Sequence, residues 1–213
     1  RSIGADASIT ICASPYRRGS GGATAPGSLG REFEDVIVRS SNVGAIKIGL
    51  RVGAERLSRY VGLYGFGHPV SPDFPGENAG IVWSADKLND SAVASISMGY
   101  QVAITPLQMV AAVSSVANGG NYVEPRVIRA VYRNGVRYQV APKIVHRTVS
   151  PDTAASLTSI MEEVVTDGTA KRAKIDGFTV AGKTGTAQKL IKGQYSHADH
   201  FASFVGFVPS QNP

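Results

Sequence analysis

The chain has 213 residues, 43% of them hydrophobic and 18% charged, with a formal net charge of +6. This is about one domain with a substantial core, and the composition excludes extended disorder. The cations are scattered (Arg17-Arg18, Arg51, Arg56, Lys171-Arg172, Lys174) with no basic helix carrying interleaved aromatics, so nucleic acid is not an expected partner.

Residues 1–31 predict an irregular lead-in: 2–11 alternate loosely, and glycines and prolines crowd the stretch that follows. Helical order begins near Ser28 or Gly30, where Phe33, Val36 and Ile37 fall at helical spacing behind Glu32, Glu34 and Asp35. Ser40-Ser41-Asn42 separates this helix from a second over 43–50, and a third covers 54–63. A helix cap needs one short polar side chain, and here there are three in a row.

Gly65-Phe66-Gly67 and the proline-rich stretch 68–80 predict a long ordered loop, a feature often tied to function. Thr105-Pro106 opens the clearest helix, stopped at Asn118-Gly119-Gly120. Residues 121–149 predict strands, with Asn134-Gly135 as a type I′ hairpin turn. Ser150-Pro151 opens another helix with Leu157, Ile160, Met161, Val164 and Val165 as its stripe, ended at Asp167-Gly168. A strand over 178–187 and its antiparallel neighbour over 201–208 close the chain. Helices first and a terminal antiparallel sheet predict an α+β fold.

Cys12 alone can form no internal disulfide, and His68, His146, His197 and His200 lack ligand spacing, so no metal or other cofactor is expected. No apolar run reaches the roughly 18 residues that span a bilayer.

Two patterns compete for residues 177–188. Gly177-Phe178-Thr179-Val180-Ala181-Gly182-Lys183-Thr184 fits the phosphate-binding loop G-x-x-x-x-G-K-[ST]. That loop needs a flexible glycine-rich segment opening a helix, whereas here the variable positions form the strand and Gly185 follows. The other pattern is Lys183-Thr184-Gly185, one of the three marks of the penicillin-binding and serine β-lactamase group. A lysine where a strand leaves the core is costly unless an anion meets it. Thr184 and Thr186 share one face of that strand, with Gly185 removing the side chain between them. Ser84-Ala85-Asp86-Lys87 spells S-x-x-K, the group's nucleophile pattern. The residues after it are a polar helix start with no apolar face, so Ser84 is assigned as a decoy.

Eight ordered stretches decide between these patterns: Ser40-Ser41-Asn42-Val43-Gly44-Ala45, Tyr64-Gly65-Phe66-Gly67, Pro75-Gly76-Glu77-Asn78-Ala79-Gly80, Thr105-Pro106-Leu107-Gln108, Ala117-Asn118-Gly119-Gly120, Asp167-Gly168-Thr169-Ala170, Ala181-Gly182-Lys183-Thr184-Gly185-Thr186-Ala187 and Phe204-Val205-Gly206-Phe207. With these the chain resembles, over 32–213, the transpeptidase domain of class B penicillin-binding proteins, the cell-wall cross-linking enzymes of bacteria.

The resemblance implies a penicillin-binding, serine β-lactamase-like α+β fold and a peptidoglycan D,D-transpeptidase that works through an acyl-serine and binds β-lactams. Ser40 and Asn42 match the S-x-N motif: the serine as proton relay, the asparagine bonding to the nucleophile's lysine and to the substrate amide. Lys183 matches the lysine of K-T-G, holding the site's electrostatics and the terminal carboxylate of a D-Ala-D-Ala stem peptide or a β-lactam. Thr184 and Thr186 would bind that carboxylate beside Gly185, with the strand edge pairing to the peptide and the Thr186 amide forming half of the oxyanion hole. The expected setting is the outer face of a bacterial cell membrane, with an N-terminal anchor outside this sequence and a glycosyltransferase as partner, in division or elongation.

The departures are equally definite. In that family S-x-x-K precedes S-x-N, and residues 1–39 contain none; residues 1–31 do not resemble the family, and the chain ends before the last strand and helix expected of the domain. The expectation is a partial domain that holds no nucleophile and is inactive alone. A β-lactam or peptidoglycan sensor, or a catalytically dead homologue, is the alternative from another class.

Overall fold

A computed structural model describes residues 8–17, 33–191 and 193–213. Strand β1 (Ser8–Arg17) is followed by α1 (Phe33–Val38), α2 (Asn42–Val52), α3 (Ala54–Leu63), α4 (Asp90–Ser97) and α5 (Pro106–Ala117). Then come β2 (Asn121–Val123), β3 (Ala130–Arg133), β4 (Val136–Gln139), β5 (Ile144–Arg147), α6 (Pro151–Thr166), β6 (Ala181–Ile191) and β7 (Gln194–Val208). The α+β expectation matches this order.

Local chemistry explains the boundaries. Thr105 accepts the amide of Gln108 while the Gln108 side chain returns to the amide of Thr105, and Pro106 fills the first turn of α5. Ser150 accepts the amide of Thr153 ahead of Pro151 to start α6. Asn134 and Gly135 have φ of 51° and 76°, the paired positive values that a type I′ turn demands between β3 and β4.

The main sheet runs β1-β7-β6, both pairs antiparallel, so β6 lies at an open edge among the described residues. Residues 8–17 correct the irregular lead-in expected for 1–31: they pair with β7 from Ser8↔Val208 to Arg17↔Asp199. The β-branched Ile9, Thr10 and Ile11 favour that strand, and the glycine cluster that suggested a loop begins only at Gly19. Strand β7 also starts earlier than expected, at Gln194, because the polar segment before Phe201 pairs with the far arm of β6, as in Leu190↔Tyr195.

Helix α6 joins the two layers. Its Ile160, Val164 and Val165 pack with Val38 of α1 and Val180, while Met161 packs with Val116 of α5, Ala181 of β6 and Phe207 of β7. Gln108 is fully buried, and its Nε2 donates to the carbonyls of His68 and Ala79, both at 2.9 Å. The proline-rich loop is thereby fastened to α5, the order that its composition predicted. Among the described residues no helix is long and apolar enough to cross a membrane.

Candidate active site

The site is built from two turns and one strand edge. Helix α1 ends in a tight turn in which Ser40 donates its amide to the carbonyl of Ile37 and Ser41 to that of Val36. Ser40 has φ of 55°, a left-handed conformation that costs a non-glycine residue on the order of 1 kcal/mol and is often found at functional sites. The three polar residues divide their work. Ser41 caps α2, accepting the amide of Gly44 at 3.2 Å, which leaves Ser40 and Asn42 free of capping. Asn42 is exposed in the first turn of α2, and its amide makes no hydrogen bond among the described residues.

Lys183 reaches across from β6. Its Nζ donates to Ser40 Oγ and to the carbonyl of Thr184, each at 2.9 Å, joining residues 143 positions apart. Ser40 uses a lone pair in this contact, so its own proton remains available to donate elsewhere. Lys183 lies next to the fully buried Ala181, and burial pulls its pKa below the ordinary lysine value. No carboxylate of the described residues pairs with it. A partly desolvated cation held by a hydroxyl and a carbonyl is set to receive an anion.

Thr184, Gly185 and Thr186 follow along the open edge. Gly185 and Thr186 are exposed, and a Cβ at Gly185 would come within 2.7 Å of Ser203 Oγ on β7. The Thr184 hydroxyl is not free. It lies 2.7 Å from that of Thr169, in the turn after α6. That turn packs close: a Cβ on Gly168 would lie 2.5 Å from the carbonyl oxygen of Val38, two residues before Ser40. Nearby, Arg39 bonds Asp35 at 3.2 Å and reaches Asp167 at 3.9 Å, and Lys171 bonds Asp167 at 3.3 Å. At the far end of β6, Tyr195 meets Tyr100, which follows α4, edge to face at 5.1 Å. The long β6–β7 hairpin is thus tied to the helical layer near both of its ends.

Ser40 and Lys183 therefore come together with Thr184 beside them, while Asn42 is exposed at the start of α2 and Gly185 and Thr186 are exposed on β6. Ser84 does not join them. It is exposed ahead of a 3-10 turn (Ala85–Lys87) packed beside α3, and its nearby hydroxyl helps hold the Asp86 carboxylate below the ordinary aspartate range. Neither Ser84 nor Lys87 bonds to Ser40 or Lys183. The phosphate-loop pattern also finds no matching geometry, since Gly182, Lys183 and Thr184 lie inside β6 and not at the start of a helix. Among the described residues no group of three or more His, Cys, Asp or Glu side chains is placed to hold a metal ion. The stretch Asp167-Gly168-Thr169-Ala170 gives Thr169 no visible role in the sequence beyond the family match; the small-residue turn directly after the apolar stripe of α6 is the one local sign of it.

Comparison with known proteins identifies the family. A family model described as the penicillin binding protein transpeptidase domain matches residues 20–213. The chain is 36% identical over 185 residues to stage V sporulation protein D of Bacillus subtilis, and 34% identical over 179 residues to a probable peptidoglycan D,D-transpeptidase, PbpC, of Pseudomonas aeruginosa. These alignments take in 85% and 84% of the chain but only 28% and 30% of those proteins' length. Among solved structures, penicillin binding protein 3 of Mycobacterium tuberculosis complexed with ampicillin superposes with a TM-score of 0.75 at 31% identity, over 83% of this chain and 44% of that one. A structure from Atopobium parvulum described as a peptidoglycan glycosyltransferase gives 0.74 at 32% identity, over 96% and 50%. With nearly the whole of its length matched by the domain model, the chain belongs to the family of penicillin-binding protein transpeptidase domains.

Proposed function

We propose that this chain carries the carboxylate-binding and proton-relay side of a peptidoglycan D,D-transpeptidase site, one that cross-links stem peptides through an acyl-serine and is acylated by β-lactams. The contact of Lys183 Nζ with Ser40 Oγ, with no carboxylate beside it, carries the reading. Lys183, Thr184 and Thr186 bind the terminal carboxylate of a D-Ala-D-Ala peptide or the corresponding β-lactam carboxylate. Gly185 keeps the strand surface open, and the free edge of β6 pairs with the peptide backbone, the Thr186 amide serving the oxyanion. Ser40, with one lone pair occupied by Lys183, has a proton to pass toward the leaving group. Asn42, exposed two residues after Ser40 at the start of α2, bonds the nucleophile's lysine and the substrate amide.

The nucleophile is not among these residues. Ser84 begins the one S-x-x-K of the sequence but is exposed and bonds to neither Ser40 nor Lys183, and we assign it no catalytic part. The 213 residues alone are then inactive in acyl transfer. The working protein operates on the outer face of a bacterial cell membrane, beside a glycosyltransferase that supplies glycan strands.

Labelling with a fluorescent penicillin followed by denaturing electrophoresis tests this. This chain and its Ser84→Ala variant should take no covalent label, and a longer gene product that contains the chain and an S-x-x-K helix should. Label on this chain that vanishes in Ser84→Ala would make Ser84 the nucleophile. A longer product that binds penicillin reversibly but never covalently would favour the sensor reading.

A further inference from the structure

We propose that Thr169 is a positioning residue for carboxylate binding: it donates to Thr184, so that the Thr184 hydroxyl points its own proton at the ligand. The inference rests on the reading of β6 as the carboxylate-binding strand.

The direction of the bond follows from counting protons. In the free protein either hydroxyl can be the donor across the 2.7 Å contact. A carboxylate only accepts. Once it meets Thr184, that single proton goes to the ligand, and the contact between the two hydroxyls survives only if Thr169 supplies the proton for it. The ligand therefore selects the chain Thr169 to Thr184 to carboxylate, in which each bond polarises the next.

The placement of Thr169 is also fixed. Gly168 lets the turn after α6 sit against backbone, since a Cβ there would be 2.5 Å from the Val38 carbonyl oxygen and 2.8 Å from Val164 Cα. Asp167, two residues before Thr169, has Lys171 at 3.3 Å and Arg39 at 3.9 Å, so its charge is offset and does not oppose an incoming anion. Successive residues of β6 are then braced from two turns that touch each other: Lys183 by Ser40, and Thr184 by Thr169.

A bond that only fastened the end of α6 to the sheet would behave differently, lowering stability when removed with no effect specific to a carboxylate. Binding of Nα,Nε-diacetyl-Lys-D-Ala-D-Ala and of its C-terminal carboxamide, measured by NMR titration, separates the two. Thr169→Val should weaken the acid about fivefold, the size of one hydrogen bond, and the carboxamide much less. Thr169→Ser should restore the acid. Equal losses for acid and amide, or acid binding by Thr169→Val within twofold of the parent, would overturn the inference while leaving the carboxylate reading standing. Failure of the parent chain to prefer the acid would overturn both.

Discussion

Gly168→Ala is the most informative single change, because its effect on stability and its effect on the site come from one contact. The added methyl would meet the Val38 carbonyl oxygen at 2.5 Å, Val164 Cα at 2.8 Å and the Val164 carbonyl oxygen at 2.9 Å. All three are backbone atoms, so no side chain can rotate away. The turn must lift, on the order of 0.5–1 Å, and overpacking of this kind costs about 1–3 kcal/mol. Gly168 does not have a positive φ, so alanine also restricts the unfolded chain, which offsets about 0.4–1 kcal/mol. The net loss is about 1–2 kcal/mol, a fall in Tm of roughly 2–8 °C for a domain of this size. The same lift would draw Thr169 away from Thr184, stretching the 2.7 Å contact to roughly 3.2–3.7 Å and so weakening or breaking it. Thermal unfolding by circular dichroism reads the first effect, and titration with the D-Ala-D-Ala peptide reads the second. Combined with Thr169→Val, the binding losses should not add, since both remove one bond. A stability change under about 0.5 kcal/mol would refute the packing argument. A destabilised variant that binds the carboxylate normally would refute the link from the turn to Thr184.

Two further changes test the cost of the buried groups. Lys183→Met removes a cation whose burial lowers its pKa. The native state then holds that proton less tightly than the unfolded chain, so the penalty is full below the folded pKa and is relieved as pH rises from there toward 10.5. The variant should abolish peptide binding, and its stability minus that of the parent should shrink across that alkaline window; a difference that grew with pH would contradict the assignment. Tyr122, pushed up to about 12 by burial and by the Glu77 charge, acts with the opposite sign in both proteins, which is why the difference is the quantity to measure. Gln108→Leu would leave the Thr105 amide and the carbonyls of His68 and Ala79 without their partner, for roughly 3 kcal/mol at about 1 kcal/mol each. Hydrogen exchange should show that loss concentrated in 68–80; uniform loss over the chain would mean that the glutamine does not fasten this loop.

What could be foreseen from the sequence was whatever local chemistry decides. The caps at Thr105 and Ser150, the Asn134-Gly135 turn and the apolar stripe of α6 are each settled by a few neighbouring residues, and each stands where those residues placed it. The lysine at the mouth of a strand was equally visible, because a cation next to Ala181 and Val180 is a local contradiction. What could not be foreseen needed a distant partner. Residues 8–17 carry only a loose alternation, and they become a strand because β7 offers an edge some 190 positions later. Gln108 looked like half of a capping box, and its second task, holding two carbonyls of a loop 29 and 40 positions away, leaves no mark nearby.

Thr169 belongs to the second group, and it explains why Lys183 and Thr184 tolerate their positions. An edge strand with a partly buried cation and no countercharge would be free to shift its register or to swing its lysine into water. Ser40 prevents this for Lys183 at the cost of a left-handed turn, and Thr169 does so for Thr184 through a turn that only glycine at 168 can bring close enough. The two braces meet at Val38, a fully buried residue of the core that α6 shares with α1. If β6 takes the carboxylate as proposed, the core packing around Val38 holds both braces in place, and a change there should alter ligand binding without touching any residue that contacts the ligand.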